Sequence, residues 1–286
     1  MPKLPAEEIR TREVLKWRGL HLLHFTGSSC SQKTRIFLNV KGISWVSHPV
    51  NLAMQKNHSA WFLGINPRGL VPVLVDDGAV IIESNDILLY LDKKFPQHSL
   101  IPAGHTDQAT KLLQDEDALH IDLRALTMRY LFPDFLVRKK SSALTAYEQD
   151  SGLIRGTPDP HKKIELDFWR RFAQHGVTDT QVIRAAKNFR SRLQPLDEAL
   201  KKQPYLLGTT LSLIDIAWYI YVYRLIEAGY PVGRLHPQIQ AWYERLHARP
   251  EFRKEVEEPS PIRWLRRVLQ WIQQLRRSTL SDVVGL

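Results

Sequence analysis

The strongest constraint on the fold is the order of apolar patterns in the first third of the chain. The run LHLLHFT (20–26) has the length of a buried strand, and Ile36, Phe37 and Val40 then recur at helical spacing. Gly42 is typical of a helix C-terminus, and the β-branched and aromatic run ISWVSHPV that follows favours a second strand. A strand, a helix and a strand in this order predict two parallel strands joined by a right-handed crossover.

Two further apolar runs flank the turn sequence Asp76-Asp77-Gly78 and predict a β-hairpin. The first run contains Pro72, which would remove a ladder hydrogen bond from a central strand. We therefore expect Pro72 to be the first residue of its strand. The alternative to a trans bond between Val71 and Pro72 is a cis bond, which is the minority state of X-Pro bonds. Ser84 is predicted to cap the helix NDILLYLDKKF, so that one sheet combines parallel and antiparallel pairs.

From about residue 105 the sequence changes to long helical patterns. These patterns cover residues 107–130, 162–175, 179–202, 212–228 and 236–249. Ser212 and Asp215 form a capping box, and the nearly all-apolar run after them predicts a buried central helix. The polar stretch 136–160 contains glycine and proline breakers and predicts a loop or a poorly ordered insertion.

Together the patterns predict an α/β domain followed by an all-α domain. The expected divisions are an N-terminal extension over 1–18, the α/β domain over 19–100, an all-helical domain over 105–258 and a basic C-terminal extension over 259–286.

Composition excludes several classes of protein. Cys30 is the only cysteine, so an intramolecular disulfide and a multi-cysteine metal site are excluded, and the histidines do not show a metal-ligand spacing. No apolar run has the length of a membrane span or of a signal-peptide core, which predicts a cytoplasmic protein. The net charge of +10 favours anionic partners, but the basic residues follow no nucleic-acid-binding motif, and we expect no nucleic acid partner.

Three local segments carry a family resemblance. The segment from Ser28-Ser29-Cys30-Ser31 to Lys41-Gly42-Ile43 resembles the glutathione transferase superfamily, and within it the zeta-class (maleylacetoacetate isomerase) signature and the cysteine-bearing bacterial reductive dehalogenases. The segment SAWFLGINPRGLVPVL (59–74) is similar to the bacterial β-etherases, and Glu83-Ser84 matches the Glu/Gln-Ser pair of the family. The resemblance extends over about residues 20–255 and implies a thioredoxin-like N-terminal domain followed by a helical-bundle domain.

The resemblance also implies the residues of a glutathione site. The Val71 main chain before a cis Pro72 would pair with the cysteinyl part of glutathione. Ser84 and the helix N-terminus would bind the γ-glutamyl carboxylate, and Glu83 its ammonium group. His58 is a weaker match, as a group that could reach the glycyl carboxylate. The alternative for these residues is a plain strand start, helix capping and a solvated loop histidine.

The chemistry of the first segment follows from its position between a strand and a helix. A helix N-terminus stabilises a thiolate, so a glutathione sulfur placed there would ionise near neutral pH. By similarity, Ser28 is the first choice as donor to that thiolate and Ser29 the second, and Cys30 could form a mixed disulfide with glutathione. The alternative is that both serines only cap the helix and that Cys30 is a small core residue.

The C-terminal extension has the pattern of a basic amphipathic helix. An apolar stripe runs through Ile262, Leu265, Leu269, Ile272 and Leu275, with Trp264 and Trp271 nearby. Five arginines and no acidic residue lie between Pro259 and Ser281. We expect the stripe to pack onto the helical domain, and the alternative is a weak contact with an anionic membrane surface through residues 260–280.

The resemblance therefore implies a glutathione-dependent transferase that directs the glutathione thiolate against a small apolar electrophile between the domains. The resemblance leaves the reaction open among conjugation in detoxification, ether or halide cleavage, and isomerisation. A homodimer is implied by the resemblance alone. The rival hypothesis is a non-catalytic binding or interaction module, because a fold does not determine a function.

Overall fold

The computed structural model describes residues 3–286. The chain forms two compact units. The first contains the described residues up to Pro96 together with Arg138–Gln174, and the second contains Gln97–Val137 and His175–Leu286. The chain thus leaves the first unit after Pro96 and returns to it at Arg138.

The first unit is built on a four-stranded sheet. Its strands are β1 (Leu20–His24), β2 (Val46–Pro49), β3 (Val73–Asp76) and β4 (Ala79–Ile82). The order is β2-β1-β3-β4, with β1 parallel to β2 and the other pairs antiparallel. The turn between β3 and β4 is made by Asp77 and Gly78, both with positive φ. The predicted mixed sheet and hairpin are confirmed, and Pro72 immediately precedes its strand, with a cis bond to Val71.

Three α-helices accompany this sheet within residues 3–96. They are α1 (Ser29–Lys41), the short α2 (Ala60–Leu63) and α3 (Ser84–Lys94), and 3-10 turns cover Ala6–Glu8, Arg12–Lys16 and Lys56–His58. The end of α1 at Gly42, with φ of 63°, is as predicted. The predicted cap of α3 is wrong by one residue, because Glu83 occupies the cap position and Ser84 is the first helical residue.

The N-terminal extension belongs to the core of the first unit. Leu4, Ile9 and Val14 are buried in one hydrophobic cluster with sheet residues such as Val73 and Val80. The Leu4 N–H also donates to the Val80 carbonyl at 2.9 Å. Burial of these side chains against the sheet accounts for the position of a segment whose composition is otherwise polar.

The stretch 136–160 is not the simple loop that was predicted. It contains α7 (Ser141–Gln149), and Leu144 and Tyr147 on this helix are buried within the first unit. The prediction was wrong because two buried side chains three residues apart give too short an apolar pattern to outweigh the flanking breakers. The unit is completed by α8 (Pro160–His175).

The second unit is helical. Its helices are α4 (Thr106–Asp117), α5 (His120–Tyr130), α6 (Asp134–Val137), α9 (Asp179–Leu200), α10 (Leu213–Glu227), α11 (Val232–Leu235), α12 (Pro237–His247), α13 (Pro250–Val256), α14 (Ser260–Leu275) and α15 (Leu280–Val284). The predicted helix 107–130 is two helices, and no glycine or proline marks the break at Ala118 and Leu119. None of the helices over residues 3–286 is both long and apolar enough to cross a membrane.

The centre of the second unit is α10, as predicted. Every residue from Leu213 to Leu225 is buried. The capping box is confirmed, since Ser212 Oγ accepts from the Asp215 N–H at 3.4 Å and the Asp215 carboxylate accepts from the Ser212 N–H at 2.8 Å. A helix buried on all sides needs this satisfied end, because water does not reach its first N–H groups.

Candidate functional site

The strand register places three of the sequence-predicted segments at one end of the sheet. Leu23 of β1 pairs with Val73 of β3, and Val73 pairs in turn with Ile82 of β4. The last part of β1, the start of β3 and the end of β4 therefore lie side by side. The segments that begin at Ser28, end at Pro72 and begin at Glu83 all adjoin this edge.

Ser28 caps α1 in the way the sequence predicts. Its Oγ accepts a hydrogen bond from the Ser31 N–H at 3.3 Å, and Ser29 and Cys30 are the first two residues of the helix. All three predicted residues are half-buried. A capping serine uses a lone pair of its oxygen, so its hydroxyl hydrogen is still available for donation. Capping and donation to a ligand are therefore compatible roles for Ser28.

The loop before α1 is held by a buried arginine of the same helix. Arg35 donates to the Phe25 carbonyl at 3.3 Å and to the Thr26 carbonyl at 3.1 Å. It also contacts His24 Nδ1 at 3.1 Å. Burial, and then the neighbouring Arg35 charge, lower the pKa of His24 to about 4, so the imidazole is uncharged at neutral pH. The loop that positions Ser28 is thus fixed by charge-assisted hydrogen bonds.

The segment before the cis peptide bond is held through its carbonyl groups. The hydroxyl of Tyr147 donates to the Arg68 carbonyl at 2.8 Å, and Asn57 Nδ2 donates to the Gly69 carbonyl at 2.7 Å. Asn66 Nδ2 donates to the next carbonyl, that of Leu70, at 2.8 Å. Three successive carbonyl groups are therefore satisfied by side chains of the first unit.

Val71, the next residue, differs from residues 68–70 in that its main chain has no hydrogen-bond partner among the described residues. Its side chain is buried. Buried main-chain groups are rarely left without a partner. The Val71 N–H and C=O groups can thus pair with an extended peptide placed beside β3.

The start of α3 combines strain with charge. Glu83 has φ of 67° and ψ of 120°, a conformation that side chains disfavour, and its side chain makes no capping bond to the helix. Such strain persists where the surroundings enforce it, and it is frequent at ligand sites. Next to it, Ser84 is buried in the first turn of α3. Lys33 of α1, which is almost fully buried, donates to Asn85 Oδ1 at 2.6 Å and so ties α1 to this turn.

The Glu83 carboxylate is paired with Arg68. Arg68 Nη1 lies 2.6 Å from Glu83 Oε1, while its Nε and Nη2 donate to the two oxygens of Asp159 at 2.8 and 3.1 Å. Burial alone lowers the pKa of Arg68, but the Glu83 and Asp159 carboxylates outweigh that effect and raise it overall. The guanidinium of Arg68 thus connects the N-terminal end of α3 to the segment that precedes α8.

His58 lies against α7, in the stretch 136–160 that was predicted to be a loop. Its ring stacks on Tyr147, with 4.8 Å between centroids and 5° between planes. Burial, and then the charge of Lys139, lower the pKa of His58 to about 4. His58 is therefore uncharged at neutral pH and can offer a carboxylate a hydrogen bond but not an ion pair.

Sequence reasoning did not identify four residues of this site as functional, namely Lys33, Arg68, Tyr147 and Asp159. Lys33 and Arg68 lie inside quoted motifs, and a basic residue within a buried pattern is the signal that could have marked them. Tyr147 and Asp159 are distant in sequence from their partners, and no local pattern indicates them.

Comparison with known families gives two matches along the chain. Residues 27–94 match the family model of the glutathione S-transferase N-terminal domain, and residues 173–250 match that of the glutathione S-transferase C-terminal domain. The two matches cover about half of the chain. The chain belongs to the glutathione transferase superfamily.

Three relatives define the similarity more closely. Protein LigF of Sphingobium sp. strain SYK-6 is 29% identical over 250 residues, which cover 83% of this chain and 93% of LigF. The probable maleylacetoacetate isomerase of Vibrio cholerae is 26% identical over 85% of this chain and 98% of its own length. A zeta-class glutathione S-transferase of Euphorbia esula is 46% identical, but over only 29% of this chain and 37% of its own length.

The fold is also that of solved members of the superfamily. The crystal structure of the β-etherase LigF superposes with a TM-score of 0.66 at 27% identity, covering 82% of this chain and 98% of that one. The predicted architecture, a thioredoxin-like domain followed by a helical domain, is confirmed.

Proposed function

We propose that this chain is a glutathione-dependent transferase that binds glutathione at the sheet edge formed by β1, β3 and β4. The observation that carries the proposal is the unpaired main chain of buried Val71 beside the cis bond to Pro72. That main chain fits the cysteinyl part of glutathione as a short added strand. Membership of the glutathione transferase superfamily supports the same ligand.

The γ-glutamyl end of glutathione carries a carboxylate and an ammonium group. In the proposed mode the carboxylate binds Ser84 and the first N–H groups of α3, where the helix dipole favours a negative charge. The ammonium group binds the Glu83 carboxylate, which Arg68 already holds in place. The two charged ends of one amino acid are thus matched by adjacent residues.

The glycyl end would lie toward the loop that carries His58. An uncharged His58 can donate one hydrogen bond to the glycyl carboxylate. We assign it that hydrogen-bonding role and not an ion pair.

The reaction begins when the glutathione thiol loses its proton to water. Ser28 donates a hydrogen bond to the resulting thiolate sulfur, and the N-terminus of α1 favours the negative charge. Ser29 is the alternative donor. The thiolate then attacks an apolar electrophile. With an ether or a halide, the carbon–sulfur bond forms as the bond to oxygen or halogen breaks and the anion leaves; with an enone, the enolate that forms takes a proton from water. This conjugation step does not require Cys30, whose mixed disulfide with glutathione would belong to a separate reaction.

The electrophile and the assembly are finer parts of the proposal. An aryl ether is the first electrophile to test, because the β-etherase LigF is similar to this chain along most of its length. Halides and enones come next. A homodimer, a cytoplasmic location and a role in detoxification are proposed on the family resemblance.

Calorimetric titration with glutathione tests the proposal. We expect wild type to bind, and a Glu83→Ala, Ser84→Ala double variant to lose binding. The control is a Ser141→Ala, Ser142→Ala double variant, which should keep binding because both serines are exposed on α7. Absence of binding in folded wild type would contradict the proposal and favour a non-catalytic interaction module.

Two variants then separate the roles of Ser28 and Cys30. Ser28→Gly removes the hydroxyl with little loss of helix capping, and we expect the pKa of the bound glutathione thiol to rise toward about 8.5. The matched control is Ser59→Gly, because Ser59 caps α2 with the same 3.3 Å bond. Cys30→Ala should conjugate at the wild-type rate. Unchanged thiol ionisation in Ser28→Gly would transfer the donor role to Ser29.

A further inference from the structure

Helix α14, which precedes α15 near the end of the chain, docks onto its own unit through polar side chains. Arg266 is buried and makes ion pairs with Glu227 and Glu258. Gln270 donates to the Glu227 carbonyl at 3.1 Å, and Gln273 donates to the Tyr130 carbonyl at 3.4 Å. Residues 266, 270 and 273 lie on one face of a helix, so this polar face is the one turned toward the unit.

The expected packing of the apolar stripe onto the helical domain is therefore incomplete. Leu265, Leu269 and Ile272 are half-buried, but Ile262 is 44% exposed and Leu275 is 65% exposed. The reason is that Arg266 and the two glutamines occupy the side of α14 that faces the unit. They donate hydrogen bonds to buried acceptors there, which apolar side chains could not do.

A second apolar face of α14 points to solvent. We name it the tryptophan face, and it consists of Trp264, Val268, Trp271 and Leu275. These residues follow one another at intervals of four, three and four, which places them on one side of the helix. Trp264 is 67% exposed and Trp271 is 60% exposed. Val268 between them is half-buried, so the exposed part of the face consists of the two indole rings and Leu275. Exposed apolar side chains grouped in this way mark an interaction surface.

The charge beside the tryptophan face has one sign. Arg263 and Arg267 are exposed along one border of the face, and Arg276 and Arg277 are exposed where the helix ends. No acidic residue occurs between Pro259 and Ser281. A partner that covers the face therefore has to present negative charge around an apolar interior.

We propose that α14 is an interfacial anchor that lies flat on an anionic lipid surface. The indole rings of Trp264 and Trp271 would enter the boundary between headgroups and acyl chains, where an apolar ring with a polar N–H is favoured. The exposed arginines would contact the lipid phosphates. The helix rests on its own unit through the opposite, polar face, so the tryptophan face can meet the membrane without unfolding of the helix.

A second copy of the chain fits this surface less well than a lipid. Two tryptophan faces packed against each other would bring the exposed arginines of both copies together, and like charges at an interface are unfavourable. This inference does not depend on the proposed glutathione chemistry, which uses residues of the other unit.

Co-sedimentation of the full chain with lipid vesicles tests the proposal. We expect binding to vesicles of equal parts phosphatidylglycerol and phosphatidylcholine, and little binding to phosphatidylcholine alone. Replacing both tryptophans, in Trp264→Ser with Trp271→Ser, should weaken binding by at least about tenfold. Arg263→Gln with Arg267→Gln should weaken it and reduce its salt dependence. Trp61→Ser, at a 42% exposed tryptophan of the other unit, is the matched control that should bind as wild type.

Circular dichroism and sedimentation velocity make the result decisive. Unchanged helical content in the tryptophan variant shows that lost binding is not unfolding. Two results would overturn the proposal: wild type that does not bind the anionic vesicles, or a tryptophan variant that binds them equally well. A wild-type dimer that the tryptophan variant converts to a monomer, without any vesicle binding, would assign the face to a second copy.

Discussion

The guanidinium of Arg68 lies 2.6 Å from the carboxylate of Glu83, and its other edge holds both oxygens of Asp159. Glu83 is thereby oriented before any ligand arrives, and orientation in advance reduces the entropy lost on binding. The cost of this arrangement is that Arg68 partly compensates the charge that Glu83 would offer to an ammonium group. Because Asp159 shares the positive charge of Arg68, it reduces the part of that charge that acts on Glu83.

Asp159→Asn is therefore expected to weaken glutathione binding. With a neutral residue at 159, Arg68 binds Glu83 more strongly and competes better with the ammonium group of glutathione. The KM for glutathione should therefore rise on the order of tenfold, which corresponds to the loss of about 1.5 kcal/mol, the size of one charge-assisted hydrogen bond. Steady-state kinetics with varied glutathione check this, and kcat should change little. Asp167→Asn, which removes an exposed pair with Lys163 on α8, is the control. A fall in kcat with an unchanged KM would contradict the positioning role.

The strained backbone of Glu83 predicts that two substitutions with the same effect on binding differ in their effect on stability. Glu83→Ala and Glu83→Gly both remove the carboxylate and should both lose glutathione binding. Only glycine relieves the left-handed φ of 67°, so Glu83→Gly should be more stable than Glu83→Ala by about 1 kcal/mol. Chemical denaturation of the two variants measures the difference. Equal stability would show that the backbone at this position carries no strain.

His58 predicts a pH dependence of stability. Its pKa is lowered from 6.5 to about 4 in the folded protein, so below pH 6.5 the unfolded chain takes up a proton that the folded protein does not. His58 should therefore make folding less favourable as the pH falls from 6.5 to about 4, and this contribution changes no further below that window. Tyr147→Ala exposes the ring and should raise the pKa of His58 toward 6.5. Imidazole resonances followed by NMR test both statements, and a wild-type pKa near 6.5 would refute them.

The buried cap of α10 predicts a large loss of stability. The Asp215 carboxylate accepts from the Leu206 and Ser212 N–H groups, from the Ser212 hydroxyl and from Trp242 Nε1, all between 2.5 and 2.9 Å. Asp215→Ala leaves these buried donors without a partner, and the free energy of unfolding should fall by about 4 kcal/mol. Thermal or urea unfolding of the full chain gives the value.

The C-terminal helix α15 offers a matched comparison. Thr279 and Asp282 form the same capping box there, but on the surface. Asp282→Ala should therefore cost much less than Asp215→Ala, because water replaces the lost acceptor. Similar losses in the two variants would mean that burial does not set the cost of the cap.

The fold was predictable where the signal is local. The strand and helix periodicities, the end of α1 at Gly42 and the capping box of α10 all depend on residues within a few positions of one another. The errors occur where local signal is weak. The predicted cap of α3 was displaced by one residue, and α7 was missed because its buried side chains, Leu144 and Tyr147, are only two.

The order of the four strands, the motif positions at Ser28, Pro72 and Glu83, and the amphipathic character of the last long helix could all be predicted from the amino-acid sequence. The contact between Asp159 and Arg68 across 91 positions, and the inward orientation of the polar face of α14, became clear only in the folded chain. The two groups of features differ because the underlying effects act over different ranges. Backbone conformation and periodicity are set by near neighbours, whereas a charged or polar group finds its partner wherever folding leaves an unsatisfied one within hydrogen-bond distance.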